Sequence, residues 1–555
     1  MKKINVLIFI ILSFNLSATT YYVATPAEGG SDSNPGTLAS PWGTWDKAFK
    51  TANAGDTVYF RGGVYYNLAA QTCLPPSSGH SGTAGNPICY FAYPPDVALG
   101  DLPILDGINK TSSSSGVLFQ GASYIHFKGL TVRNNFQYSA GDQPSNFAIA
   151  IGNNITIENC VSHNAGFRGF NLYHIDSLFV YNCDSYNTAD TLSSTPGNSG
   201  DGFIFVLGTH TAADTVKYAI FRGCRAWHNS DDGFDLEPES YIEIDSCWSF
   251  NNGYLSGGNG VGFKLGLSSS VTRVTTARKM TNCIAAYNST DGMTTNDRIV
   301  KATPSHIYNN ISYHNNRGFV LFETTSSDAI QLTRIYRNNI AYANITNEFI
   351  KDATGLYTHD HNSWDISELT LVVSDFESID STGITAARQA DGSLPNNAAY
   401  TTFLHLSEGS QSINQGTDVG YGDDLGAFQY TLAEPPTPPY VATSPPINVN
   451  IHQGTGRGIV TDDGGTAVSE RGICWDTSNN PLITDNYASS GTTGEGAFTA
   501  IMTGLLSNTK YWIKAYAYNG SGTYGDTISV TTPDWGVGYS GGKVVFYNGK
   551  IVIVK

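Results

Sequence analysis

Charge is scarce in this sequence, and so are the residues that favour helices. Charged residues make up 14% of the 555 positions and there are 4 methionines, against 59 glycines and 32 tyrosines. That balance argues against a helical protein and for short strands joined by turns. Positive charge is in deficit, with 30 Lys and Arg against 47 Asp and Glu and a net charge of −17. A chain of that sign excludes nucleic acid as a partner, and it repels any polyanion unless a local cation reverses the field. Beyond the N-terminus no apolar run approaches the roughly 20 residues that a membrane helix requires. The N-terminal exception is short: Lys2 and Lys3, an apolar stretch over 4–14, and Leu16-Ser17-Ala18 as a small-residue exit. This is the pattern of a secretory signal over residues 1–18, so a secreted or surface-attached monomer without a transmembrane segment is expected.

Length excludes a single ordinary core, since domains run to roughly 100 to 200 residues; several units or one long solenoid are required. Internal repetition selects the solenoid. One element recurs as ENCVSHN (158–164), YNCDSYN (181–187), RGCRAWHN (222–229), DSCWSFN (245–251), TNCIAAYN (281–288), YNNISYHN (308–315) and RNNIAYAN (337–344). Each is a short apolar alternation closed by Asn, suited to a strand that ends in a tight turn. A second element follows: RGFNL (168–172), DGFIF (201–205), DGFDL (232–236), VGFKL (261–265), DGMTT (291–295) and RGFVL (317–321). A period of roughly 22 to 30 residues with three short strands per turn describes a parallel β-solenoid. Of the eight cysteines, Cys160, Cys183, Cys224, Cys247 and Cys283 occupy matching repeat positions, as small apolar residues stacked in a core would. Cys73, Cys89 and Cys474 stand apart, and a bridge between Cys73 and Cys89 is open in an exported chain.

The solenoid is expected over 19–433. An amphipathic helix at about residues 44–52 would cap its open end, and 391–430 reads as the closing segment. A Pro-rich linker (434–446) leads to a small β-sandwich (447–533), followed by a tail (534–555) that reads as a hairpin around Asn548-Gly549. In the sandwich, Leu505 stands six positions before Tyr511, a spacing that resembles the tyrosine corner of fibronectin type III domains.

Aligning the second elements on Gly-Phe produces columns. Phe170, Phe203, Phe234, Phe263 and Phe319 point inward, so the residues after them face out: Asn171, Ile204, Asp235, Lys264, Thr294 and Val320. With coils about 4.8 Å apart, Asp235 and Lys264 become neighbours. Asp201 from the coil before, together with Asp231, Asp232 and Asp235, forms a cluster of four carboxylates. Such crowding raises carboxyl pKa values unless a cation neutralises it, and oxygen-only ligands beside glycine turns suit calcium better than magnesium. A lysine next to that charge is disfavoured in its protonated form and becomes a candidate base. Proton abstraction α to a uronate carboxylate, with loss of the 4-linked sugar, is β-elimination. Each of these residues alone has an ordinary reading, Asp before Gly as turn chemistry and Lys as a solvated cation; their common register argues for a site. Arg273, Arg278, Arg298 and Lys301 are candidate partners for substrate carboxylates, although each also reads as a solvated cation.

The run GNGVGFKLG (258–266) resembles the GNGNGFKLGG signature of family 9 polysaccharide lyases, with Val261 and Leu267 as departures. SDDGFDL (230–236) and SGDGF (199–203) resemble the acidic motifs of that family, and DGSLPN and LGAF (425–428) its closing segment. The resemblance, over about residues 21–430, implies a right-handed parallel β-helix, which with the small sandwich after it makes an all-β protein. It implies cleavage of pectate or a related uronate polymer, with Lys264 as base and Asp201, Asp231, Asp232 and Asp235 as calcium ligands. Two other readings use the same fold. A polygalacturonase-like hydrolase needs an acid and a base about 6.5 to 9.5 Å apart, and its GHG run is absent, with Arg298-Ile299-Val300 the nearest approach to its RIK run. A non-catalytic carbohydrate-binding adhesin leaves Lys264 in that register without purpose.

Overall fold

Successive coils pair strand on strand. In the computed structural model, Phe234–Leu236, Tyr241–Asp245 and Trp248–Phe250 form one coil. They pair in parallel with Phe203–Val206, Tyr218–Arg222 and Arg225–Trp227 before them. After them they pair with Phe263–Lys264, Arg278–Thr281 and Ile284–Ala286. Repetition of this pattern builds a 20-stranded and a 10-stranded parallel sheet, the walls of a β-helix. The structure describes residues 18–534 except 74–79, 207–217, 238–240, 267–277, 296–304, 322–333, 352–356 and 431–436, together with 546–547 and 550–551. The expected signal segment falls outside these residues up to position 17, and no described helix is long and apolar enough to cross a membrane.

The interior follows from strand alternation. Phe147, Phe170, Phe203, Phe234 and Phe263 stack ring on ring at 4.7 to 4.9 Å. Cys160, Cys183, Cys224, Cys247 and Cys283 are buried free thiols in a column of their own. Cys89 is free as well, and the side chain of Cys73 lies outside the described residues.

The corners depend on a small set of residues with positive φ. One corner precedes the cysteine column, at Asn159, Asn182, Gly223, Ser246, Asn282, Asn309 and Asn338. The next follows the short strand, at Asn164, Asn187, His228, Asn251, Tyr287, His314 and Ala343. Asn tolerates this left-handed conformation better than other residues with a Cβ, which explains its recurrence. The expectation that the closing Asn itself makes the turn holds for Asn164, Asn187 and Asn251. In the other coils the turn falls one residue earlier and the closing Asn goes inside. Asn229 donates to the Asn252 side chain at 2.9 Å, Asn252 to Asn288 at 2.9 Å, Asn288 to Asn315 at 2.9 Å and Asn315 to Asn344 at 3.2 Å. A buried amide costs little when its donor and acceptor are both used, and the ladder uses them.

The helix Trp45–Phe49 is capped by Thr44, whose side chain accepts from the Lys47 N–H. Phe49 packs on Phe60, Tyr90, Phe119 and Phe127, closing the first coil as expected. The closing segment plays a different part. It lies along the outer face of the 10-stranded sheet, where Phe376, Tyr400, Phe403 and Leu425 cover Trp248, Ile284 and Ile311. There Arg225, fully buried, pairs with Asp184 and contacts Tyr400, and Arg388 reaches the same carboxylate at 2.9 Å.

Contacts divide the chain after Tyr430. In the second unit, Tyr440–Ile447, Gln453–Asp462 and Gly496–Thr503 form one antiparallel sheet, so the latter part of the expected linker is a strand. Glu470–Asp476, Asn486–Ser489, Lys510–Tyr518, Gly522–Tyr524 and Ile528–Thr531 form the other. Both sheets bury side chains in one core, and the Tyr511 hydroxyl accepts from the Leu506 N–H at 3.1 Å. In the tail, Phe546–Tyr547 pairs antiparallel with Lys550–Ile551.

The ladder generates a stability prediction. Asn288→Ala removes a donor to Asn315 and takes away the Oδ1 that accepts from both the side chain and the backbone N–H of Asn252, and the expected cost is about 1–3 kcal/mol. Denaturant unfolding monitored by circular dichroism measures it; an unchanged midpoint would show that the ladder adds no stability.

Candidate active site

Pairing places Ile204, Asp235, Lys264, Thr294 and Val320 in one outward-facing row, each on the next coil. The row was expected to be exposed. Instead Asp235 is 6% and Lys264 7% exposed, so the pair meets under cover rather than on an open face. The Lys264 Nζ lies 3.3 Å from Oδ2 of Asp232 and 3.3 Å from Oδ2 of Asp235.

The position before each Gly forms a second row. It runs Arg168, Asp201, Asp232, Val261, Asp291 and Arg317, with the arginines bracketing the acids. Asp201, Asp232 and Asp235 bring carboxylate oxygens within 4.8 Å of one another. Asp231, expected as a fourth member, is not in that group: its Oδ1 accepts the Asn259 N–H at 2.6 Å. Asp232 spends Oδ1 in the same manner on the Val261 N–H at 2.8 Å. The segment 259–261 is thereby tied across both aspartates, and Val261 acts through its backbone, which explains why an apolar side chain suffices there. Oδ1 of Asp201 and Oδ1 of Asp235 are buried and accept no hydrogen bond among the described residues.

Burial dominates the electrostatics. It pushes the Asp201 carboxyl up to about 8, with the Asp235 charge adding to it and Arg168 opposing. Asp231 is pushed up to about 9 by burial and then by the Asp232 charge. Asp232 rises only to about 6, because Lys264 offsets part of its burial.

The expected substrate cations fare differently. Arg278 is fully buried, in an inward column with Ile242 and Ser305, so strand alternation removes it from the substrate side. Arg273, Arg298 and Lys301 lie outside the described residues. One cation that sequence reasoning passed over is Arg168, whose Nε is 3.5 Å from Oδ2 of Asp201 and whose guanidinium covers the Phe167 ring. The signal was available, since Arg168 occupies the position before Gly in the coil preceding Asp201.

The family model for the Pel9A-like, right-handed β-helix region matches residues 21–339. The chain belongs to this family. It is a polysaccharide lyase, and its β-helix is right-handed. It is 30% identical over 426 residues to pectate lyase L of Dickeya chrysanthemi, covering 74% of this chain and 90% of that protein. The crystal structure of pectate lyase Pel9A superposes with a TM-score of 0.57 at 26% identity, covering 75% of this chain and 98% of the other. A rhamnogalacturonan lyase structure superposes at 0.50 with 27% identity, covering 68% and 95%.

Buried carboxyls with raised pKa values hold protons that the unfolded chain releases near pH 4, so without a cation their contribution to stability is greatest at low pH and falls as they ionise. In chelator, the melting temperature is expected to fall between about pH 5 and pH 9, and Asp201→Asn to flatten the slope. A melting temperature insensitive to pH over that window would contradict the burial of these charges.

Proposed function

We propose that this protein is a secreted, calcium-dependent lyase that cleaves pectate or polygalacturonate-type uronate polymers by β-elimination, with Lys264 taking the C5 proton. The observation that carries the reading is the placement of one buried lysine amine against two carboxylates of a three-carboxylate group, inside a chain of this family.

The donor set fits calcium. Asp201, Asp232 and Asp235 offer hard oxygens only, and two of those oxygens are buried with no other partner among the described residues. Asp231 remains part of the proposed ligand set, adjoining the other three through Asp232. When bound, calcium would offset the carboxylate charge, attract a uronate carboxylate and favour removal of the proton beside it. The chain's own residues do the rest. Asp232 and Asp235 fix the amine of Lys264 at the site, and the backbone of 259–261 fixes Asp232. Arg168, beside Asp201, is placed to pair with a substrate carboxylate. Export follows from the N-terminal signal pattern. The fibronectin type III-like unit would hold the enzyme away from a surface or bind glycan.

Incubation with polygalacturonate, followed by ultraviolet absorbance of the unsaturated product, tests the reading. Absorbance is expected to grow with calcium, stop with chelator, and fall on the order of 10²–10⁴-fold in Lys264→Ala with the fold retained. Reducing ends without absorbance would mean hydrolysis. Activity confined to rhamnogalacturonan would shift the substrate class while keeping the reaction.

A further inference from the structure

Beside the Asn229–Asn252–Asn288 ladder, whose Asn252 contributes to the lining, a cavity of about 670 Å³ opens on the surface. The outward positions of the 10-stranded sheet and its corner residues build it. Tyr186 stacks on Trp227 at 4.3 Å with 11° between the rings, and His228 stacks on Tyr254 at 4.3 Å with 1°. Tyr287 from the next coil and the exposed amide of Asn251 complete the lining used here. Tyr186 is sandwiched between His163 and Trp227, and Trp227, 6% exposed, between Tyr186 and Phe250, so these rings form the wall, and the exposed rings are those of His228 and Tyr254. Tyr254, on a loop, remains 42% exposed while its ring stacks on His228.

The chemistry of the lining is specific. Flat aromatic faces match the C–H faces of a pyranose ring, while amides and hydroxyls at the edges match its hydroxyl groups. None of the lining residues is Asp or Glu, in a chain whose net charge is −17, so the cavity spares a polyanion the repulsion that the rest of the surface imposes. The segment carrying Tyr254 continues into 259–261, the backbone that holds Asp231 and Asp232. A glycan seated on Tyr254 would therefore contact a segment that continues into the candidate active site.

We infer that this cavity is a second carbohydrate site that holds a pyranose residue of the uronate polymer against the exposed His228–Tyr254 stack, independently of calcium. The identity of the polymer rests on the function proposed above; the site itself does not. Titration of the full-length protein with long oligogalacturonates in chelator isolates it, because the calcium-dependent site is then silent. Saturable binding is expected, weakened roughly tenfold in Tyr254→Ala, the equivalent of one lost aromatic stack. Tyr254→Phe keeps the ring and should keep the affinity, which separates stacking from a general disturbance of the loop. Absence of binding in chelator, or equal affinity in wild type and Tyr254→Ala, would overturn the inference. These outcomes are distinct from those of the lyase assay: loss of the elimination reaction with groove binding intact would remove the reaction and leave the site.

Discussion

Parallel hydrogen bonding between coils sets every side chain's neighbour in this β-helix. Once Phe234 pairs with Phe263, Asp235 has to pair with Lys264, and no loop or ligand is needed to bring them together. The same pairing stacks the phenylalanines, aligns the asparagine amides into a ladder and repeats the surface aromatics at coil spacing. Slipping one strand by a single residue would turn the whole face over, so the buried columns protect the register and the register protects the site.

Against that rigid frame, the acidic group is a deliberate electrostatic liability. Three carboxylates and a lysine share a space from which water is largely excluded, and burial together with neighbouring carboxylate charge pushes Asp201 and Asp231 far above the ordinary carboxyl range. Lys264 relieves Asp232 in part, and Arg168 relieves Asp201, yet an oxygen of Asp201 and one of Asp235 are left over. Local strain of this type persists where the surrounding structure over-determines it, and two backbone N–H groups from 259–261 do so here. The asparagine ladder shows the opposite arrangement, buried polar groups fully satisfied, which supplies rigidity instead of reactivity.

Much of the fold was legible because a solenoid repeats its own evidence. The two repeat elements appear seven and six times, so inward and outward columns could be assigned by alignment alone, and Asp201, Asp232, Asp235 and Lys264 fell into register. Three features escaped that logic. Arg278 belongs to a strand with no Gly-Phe anchor, so nothing in its spacing showed that it faced inward. The closing asparagines shift by one position between turn and ladder, a difference of local dihedral angle that identical residue types conceal. The path of the closing segment over the 10-stranded sheet depends on contacts between residues far apart in sequence, such as Arg225 with Asp184 and Arg388 with the same carboxylate.

The sequence by itself determined the repeat, hence the solenoid, hence which residues stand on adjacent coils, because a period is a one-dimensional property that parallel pairing converts directly into space. Only the tertiary structure decided how deep those residues lie and which of their oxygens are already engaged. Burial and hydrogen-bond satisfaction depend on contacts in three dimensions, such as the Asn259 and Val261 N–H groups that reach Asp231 and Asp232 from the next coil.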